Sequence, residues 1–310
     1  MVASAAKKSS GSKKWLIVLL LVSAILLVCV FIAVVSSLGK SQGSIAIVRL
    51  SGAIGGGDLL SGGGVDPDDI IGMVERADAD SSVKGILIEI NSPGGTPVAS
   101  EEIMRAVKGT SKPTVALIRD IGASGAYWVA SAASYIVASP VSLTGSVGVR
   151  SSYLEFSEFL SKYGVQYESL ASGEYKELGS PYKNLTDEER GVLLDELAKT
   201  HDYFLNSVAE NRQITSEENL GTIATARVFL GSEALELGLV DELGGRKEAE
   251  EWLKQQTNLT EINYVSYERK PLFNFGGLAA EQASHAGMAF GRAVMATMLG
   301  NDATSRIKAQ

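Results

Sequence analysis

The chain has 310 residues, 45% of them apolar and 21% charged, a balance that suits one large globular domain or two small ones. Its single cysteine, Cys29, excludes an intrachain disulfide and a cysteine metal site, and only two histidines, His201 and His285, limit histidine chemistry. Residues 40–310 carry 24 Lys and Arg against 36 Asp and Glu, a balance of −12 that disfavours nucleic acid and anionic lipid surfaces as partners.

In chain order, residues 1–14 are basic, with Lys7, Lys8, Lys13 and Lys14 and no acid. Residues 15–38 follow as 24 positions without a charge. A helix of that length, at ~1.5 Å per residue, crosses a hydrocarbon core of ~30 Å with length to spare. A cleaved signal peptide has a shorter apolar core, so this run reads as a single uncleaved transmembrane anchor. The flanking lysines put the N-terminus in the cytoplasm and the rest of the chain across the cell membrane. Residues 39–43 are a linker.

From residue 44 the periodicity alternates between strand and helix. Residues 44–52 read as a strand, 66–79 as a helix with acids at its start, and 83–90 as a buried strand. The turn 91-NSPGG-95 leads into a helix over 98–108, a strand over 113–120, the stretch 121-IGASGAYWVASAA-133 and a strand over 135–139. This β-α-β-α-β order predicts a parallel sheet with crossover helices. Further on, 153–164 reads as a helix and 165–172 as a strand. Thr186 to Glu189 is a capping box opening a long helix to about residue 211. Short elements at 233–238 and 246–256 and an edge strand at 261–267 complete the domain. From 269 to 310 periodicity fades, leaving a tail with weak helical character over 279–298.

Ser124 follows a strand by a short turn and heads an apolar helix. It reads either as a helix cap or as a nucleophile near the positive end of the helix dipole, with the Gly125 N–H beside it. Gly94 and Gly95 let the backbone approach a ligand closely and can aim an N–H at it. Both turns leave the carboxyl ends of parallel strands, the edge at which open α/β sheets bind ligands. A nucleophilic serine needs a base. His201 lies within the long helix and His285 in the tail, so a lysine kept neutral by burial is the alternative. By spacing alone, Lys176 does not stand out from Lys162 or Lys183.

The motifs IEINSPGG, IGASGAYWVASAA, 144-TGSVGV-149, 172-SGEYKELGSP-181 and 227-RVFLGSEALELGLVDELGG-245 together resemble the signal peptide peptidase A (SppA) family of membrane-anchored serine proteases over roughly residues 44–266. The resemblance implies a Clp/crotonase-like α/β fold over 44–268. It makes Ser124 the nucleophile, Lys176 the general base, Ser146 the residue that orients Lys176, and Gly95 and Gly125 the oxyanion-hole donors. It also implies apolar peptides such as cleaved signal peptides as substrates, no cofactor or metal, and a homo-oligomer in which Ser124 meets Lys176 of a neighbour. An acyl-CoA enzyme on the same fold and a scaffold that has lost its chemistry are the competing classes.

Overall fold

The computed structural model describes residues 15, 19, 21–31, 43–56 and 64–267. Residues 21–31 are helical and exposed throughout. Among the described residues no helix is long and apolar enough to cross a membrane, and much of the 15–38 run lies outside them. The tail expected over 269–310 lies outside them as well.

Eight strands form one mixed sheet: β1 (Ser44–Ser51), β2 (Val83–Ser92), β3 (Thr114–Ala123), β4 (Tyr135–Ala138), β5 (Leu143–Gly145), β6 (Val228–Leu230), β7 (Glu242–Leu243) and β8 (Asn263–Ser266). The main path runs β6-β5-β3-β2-β1-β8, with β4 and β7 joined to it through β3. Every pairing is parallel except β5 with β6. The parallel order follows from the crossover helices α1 (Pro67–Ala79) and α2 (Pro97–Lys108), which each return the chain to the same end of the sheet.

The central strands are buried on both faces, so their sequences read as nearly unbroken apolar runs. One face presents Val48, Leu50, Ile86, Ile88, Ile90, Ala116 and Ile118 to α1, α2 and the short helix α3 (Gly125–Ser131). The other presents Ile45, Ile47, Leu87, Val115 and Leu117 to α8 (Arg246–Thr257), through Ala249 and Leu253. Strict alternation between the faces fixes the register, because a one-residue slip would exchange them. The capping box at Thr186 forms and opens the 26-residue helix α5 (Asp187–Arg212). Trp128 stacks on Phe204 at 4.4 Å and donates through Nε1 to Ser207 Oγ, so α3 is clamped against α5.

The segment after β5 departs from expectation. No residue from Arg150 to Glu188 is buried. The helix expected over 153–164 is reduced to α4 (Ser157–Lys162), and no strand forms over 165–172. The alternation of Val165, Tyr167 and Ser169 suits a strand, but among the described residues no neighbouring strand pairs with it to satisfy its backbone groups. The segment instead closes on itself, with Phe156 N–H donating to Pro181 O and Tyr167 Oη to Glu177.

Candidate active site

β3 runs three residues further than its apolar pattern predicts, and its end is bent. Ile90 opposes Ile118 but Ser92 opposes Gly122, so three residues of β3 face the single residue Asn91. Asn91 Oδ1 accepts the N–H of Ile121 at 3.2 Å, satisfying a donor that the bulge frees. Such bulges re-aim the chain beyond them. Here that chain is Ser124.

Ser124 adopts φ 53°, ψ −129°, a conformation that costs a residue with a Cβ of order 1–3 kcal/mol. Its N–H donates to Gly145 O at 2.8 Å and its carbonyl accepts from Trp128 N at 3.0 Å. The side chain caps nothing. The helix-cap reading therefore fails on geometry: the hydroxyl is turned away from the helix it precedes and into a cleft. Five non-glycine residues among those described have positive φ. Gln213 and Asn258 are ordinary left-handed helix C-caps. The other three, Ser124, Ser146 and Ala226, all line the same cleft.

That cleft has a volume of about 570 Å³. Gly94, Gly95, Ser124, Gly125 and Ser146 lie in its wall, with Pro97, Trp128, Val149 and Phe204 supplying apolar surface. The two glycine turns are pressed together. A Cβ on Gly94, at φ 98°, would sit 2.7 Å from Gly125 N and 2.9 Å from Ser124 Cβ. A Cβ on Gly95 would overlap the Ile54 backbone, and one on Gly125 would overlap Ser100 Oγ. Glycine is thus the residue that fits at all three positions. The N–H groups of Gly95 and Gly125 have no hydrogen-bond partner among the described residues. Two unpaired amides beside a strained serine can receive a negative charge that develops there.

Four of the five residues singled out from sequence, Gly95, Ser124, Gly125 and Ser146, therefore meet in one cleft, and Lys176 does not join them. Lys176 is exposed, in a turn where its N–H donates to Gly173 O. Lys183 is held by Glu189, whereas the side-chain amines of Lys162 and Lys176 have no ion-pair or hydrogen-bond partner among the described residues. Among the described residues the lining includes one charged residue, Arg150, and no group able to act as a base. His201 Nε2 is engaged with Val147 O at 3.1 Å, and His201 is not among the described residues that line the cleft. Sequence reasoning missed the strain at Ser146 and Ala226. The small residues around them were its only trace.

The chain was compared with known proteins. It is 32% identical over 277 residues to a Methanocaldococcus jannaschii protein named as a protease, covering 80% of this chain and 88% of that one. It is 31% identical over 235 residues to an Enterococcus faecium protein named as a signal peptide peptidase SppA, covering 74% of this chain and 68% of that one. Protease 4 of Haemophilus influenzae is 33% identical over 219 residues, which make up 69% of this chain but only 35% of that longer protein. The description "Peptidase family S49" matches residues 106–260, a span that holds the serine elbow, the exposed segment and the β6 edge. With that match and these relatives, the chain belongs to peptidase family S49 and is a serine-type peptidase.

Proposed function

We propose that this chain is a membrane-anchored serine endopeptidase that cleaves apolar peptides, released signal peptides among them, through an acyl-enzyme on a Clp/crotonase-like scaffold. Ser124 is the nucleophile and Lys176 the general base. The observation that carries this reading is a strained serine facing a cleft beside two unpaired amides, with no base among the described residues that line that cleft. The missing base is supplied as Lys176 of a neighbouring copy, on a segment that the described residues of its own chain leave exposed.

In this mechanism the neutral amine of Lys176 takes the Ser124 proton as Oγ attacks the peptide carbonyl. The Gly95 and Gly125 N–H groups bind the resulting oxyanion. The ammonium of Lys176 then protonates the leaving amine, and water hydrolyses the ester. Removal of the amine from water favours the uncharged form that a base requires. Ser146, which follows the Gly145 carbonyl that accepts the Ser124 N–H, orients the amine through its hydroxyl. The apolar wall of Pro97, Trp128, Val149 and Phe204 supports apolar side chains as ligands. The 24-residue uncharged run and the exposed apolar helix at 21–31 support an anchor with the domain outside the cytoplasm.

Labelling with a fluorophosphonate tests this reading. The full chain in detergent should be modified at Ser124, Ser124→Ala should take no label, and Lys176→Ala should label ~10²–10⁴-fold more slowly, the range expected of a general base. Modification at a different serine, or an unchanged rate in Lys176→Ala, overturns the assignment.

A further inference from the structure

Between β1 and the oxyanion turn lies a hydroxyl that the mechanism above leaves without a role. Ser92, the last residue of β2, is 0% exposed. Its Oγ donates to Gly52 O at 2.5 Å and accepts the N–H of Gly94 at 3.2 Å. A serine hydroxyl carries one proton, so donation to the Gly52 carbonyl commits its lone pairs to the Gly94 amide. Gly52 is itself fixed, because its N–H donates to Asn91 O at 3.1 Å. The hydroxyl thus ties the end of β1 to the start of the glycine turn.

Two consecutive peptide planes are held in this turn. Ser92 holds the one that ends in the Gly94 N–H. Ile54 holds the next, because its N–H donates to Gly94 O at 2.9 Å while its own carbonyl accepts from Thr96 N at 3.0 Å. Carbonyl and N–H point in opposite directions across a planar trans peptide. Fixing Gly94 O on Ile54 therefore turns the Gly95 N–H the other way, toward the side occupied by Gly125. Between the two planes only the φ and ψ of Gly94 are soft, and glycine resists rotation least of all residues. The Ser92 bond on the first plane and the Ile54 bond on the second together set φ 98° at Gly94.

We propose that Ser92 is a positioning residue for the reaction: its buried hydroxyl locks Gly94 and so keeps the Gly95 N–H aimed at the oxyanion. This rests on the reading of Gly95 as an oxyanion donor. Ser92 itself touches no substrate.

The test compares two ligands on the full chain in detergent: a blocked apolar peptide aldehyde, which forms a tetrahedral oxyanion adduct with a serine, and the corresponding peptide alcohol, which forms none. Wild type should bind the aldehyde more tightly. Ser92→Ala should lower kcat about 10- to 100-fold, short of the ~10²–10³ expected for complete loss of a donor, with KM within about twofold. Its aldehyde affinity should fall with kcat/KM while its alcohol affinity stays put. A folded Ser92→Ala with unchanged kcat overturns the proposal, and so does an equal loss of affinity for both ligands. Should the alanine variant fail to fold, Ser92→Cys keeps the volume with only a weak donor and acceptor. It should lose aldehyde selectivity in the same direction, and full retention of that selectivity overturns the proposal. Ser124→Ala separates this from failure of the underlying reading. If that variant hydrolyses peptides, or wild type shows no preference for the aldehyde, the nucleophile assignment is what fails.

Discussion

Ser124 pays for its exposure to the cleft in backbone strain. At φ 53°, ψ −129° its Cβ crowds the chain, and the contacts that hold it there are the Gly145 carbonyl and the first turn of α3. A glycine at this position keeps the turn and loses the crowding. Relief of ~1–3 kcal/mol of strain, less ~0.5–1 kcal/mol of added backbone entropy in the unfolded chain, leaves a net gain of about 1 kcal/mol. Ser124→Gly should therefore melt about 2–4 °C above wild type while losing all hydrolysis. Ser124→Ala keeps the strained Cβ and should lose activity without that gain. Thermal melts of the three proteins decide this, and a glycine variant that melts below wild type would show that the elbow stores no strain. At this scale the sequence was legible in part. A serine at a strand-to-helix junction among small residues could be read, and so could the glycines that neighbour it. The conformation that separates nucleophile from cap could not, because φ 53° in a non-glycine residue is imposed by Gly145 and Asn91, which are remote in sequence. The role proposed for Lys176 rests on resemblance, since among the described residues nothing marks it apart from Lys162.

Elements that own an apolar face were readable, and elements that exist only by pairing were not. β2 and β3 announce themselves as runs of Ile, Leu and Val, and α5 by its capping box. β5, β6 and β7 have three, three and two residues, too few to show a period, and depend on partners distant in sequence. The edge strand β8 lies between these cases and is fastened at its end by side chains. Tyr267 Oη donates to Asp80 at 2.7 Å, just beyond the end of α1. Hydrogen bonds from Ser82 and then Tyr267 hold the Asp80 carboxyl down at about 2. Burial, then the bond to that carboxylate, pushes the Tyr267 hydroxyl up to about 12. The two shifts bound a pH window. A depressed carboxyl stabilises the fold above its ordinary value near ~4, and that contribution is lost as pH falls to about 2. A raised phenol stabilises it below its ordinary value near ~10, and that contribution is lost as pH rises to about 12. Tyr267→Phe should therefore lower the denaturation midpoint by a constant amount between about pH 4 and pH 10, with the gap to wild type closing on both sides. A gap that stays open at pH 2 would mean that Tyr267 acts by packing rather than through Asp80.

Over the whole molecule, what one chain lacks and what it exposes match each other. The cleft holds a hydroxyl and two amides with no base among the described residues. The segment from Arg150 to Glu188 buries nothing, yet carries large apolar side chains into solvent, with Leu154, Phe159 and Tyr163 among them and Leu170 at 94% exposure. Apolar side chains exposed in this number on one segment are costly unless another surface covers them. The same segment carries Lys176 and begins at Arg150, in the wall of the cleft. A neighbouring copy seated there would cover the apolar side chains, strip water from the lysine and complete the site in one step. On the proposed reading, each active site would draw its hydroxyl from one chain and its amine from the next. Two inactive chains should consequently repair each other. Ser124→Ala offers an intact lysine and Lys176→Ala an intact serine, so chains exchanged at random into a ring regain some complete sites. In a large ring of equal parts about a quarter of the contacts join an intact serine to an intact lysine, and peptide hydrolysis should return to roughly that fraction of wild type. Activity per chain should also rise with protein concentration, because dilution separates serine from lysine. A mixture that stays as inactive as its parents, after subunit exchange has been verified by size and by differential tagging, would show that each chain closes its own site, with Lys176 folding back onto the Ser124 that precedes it.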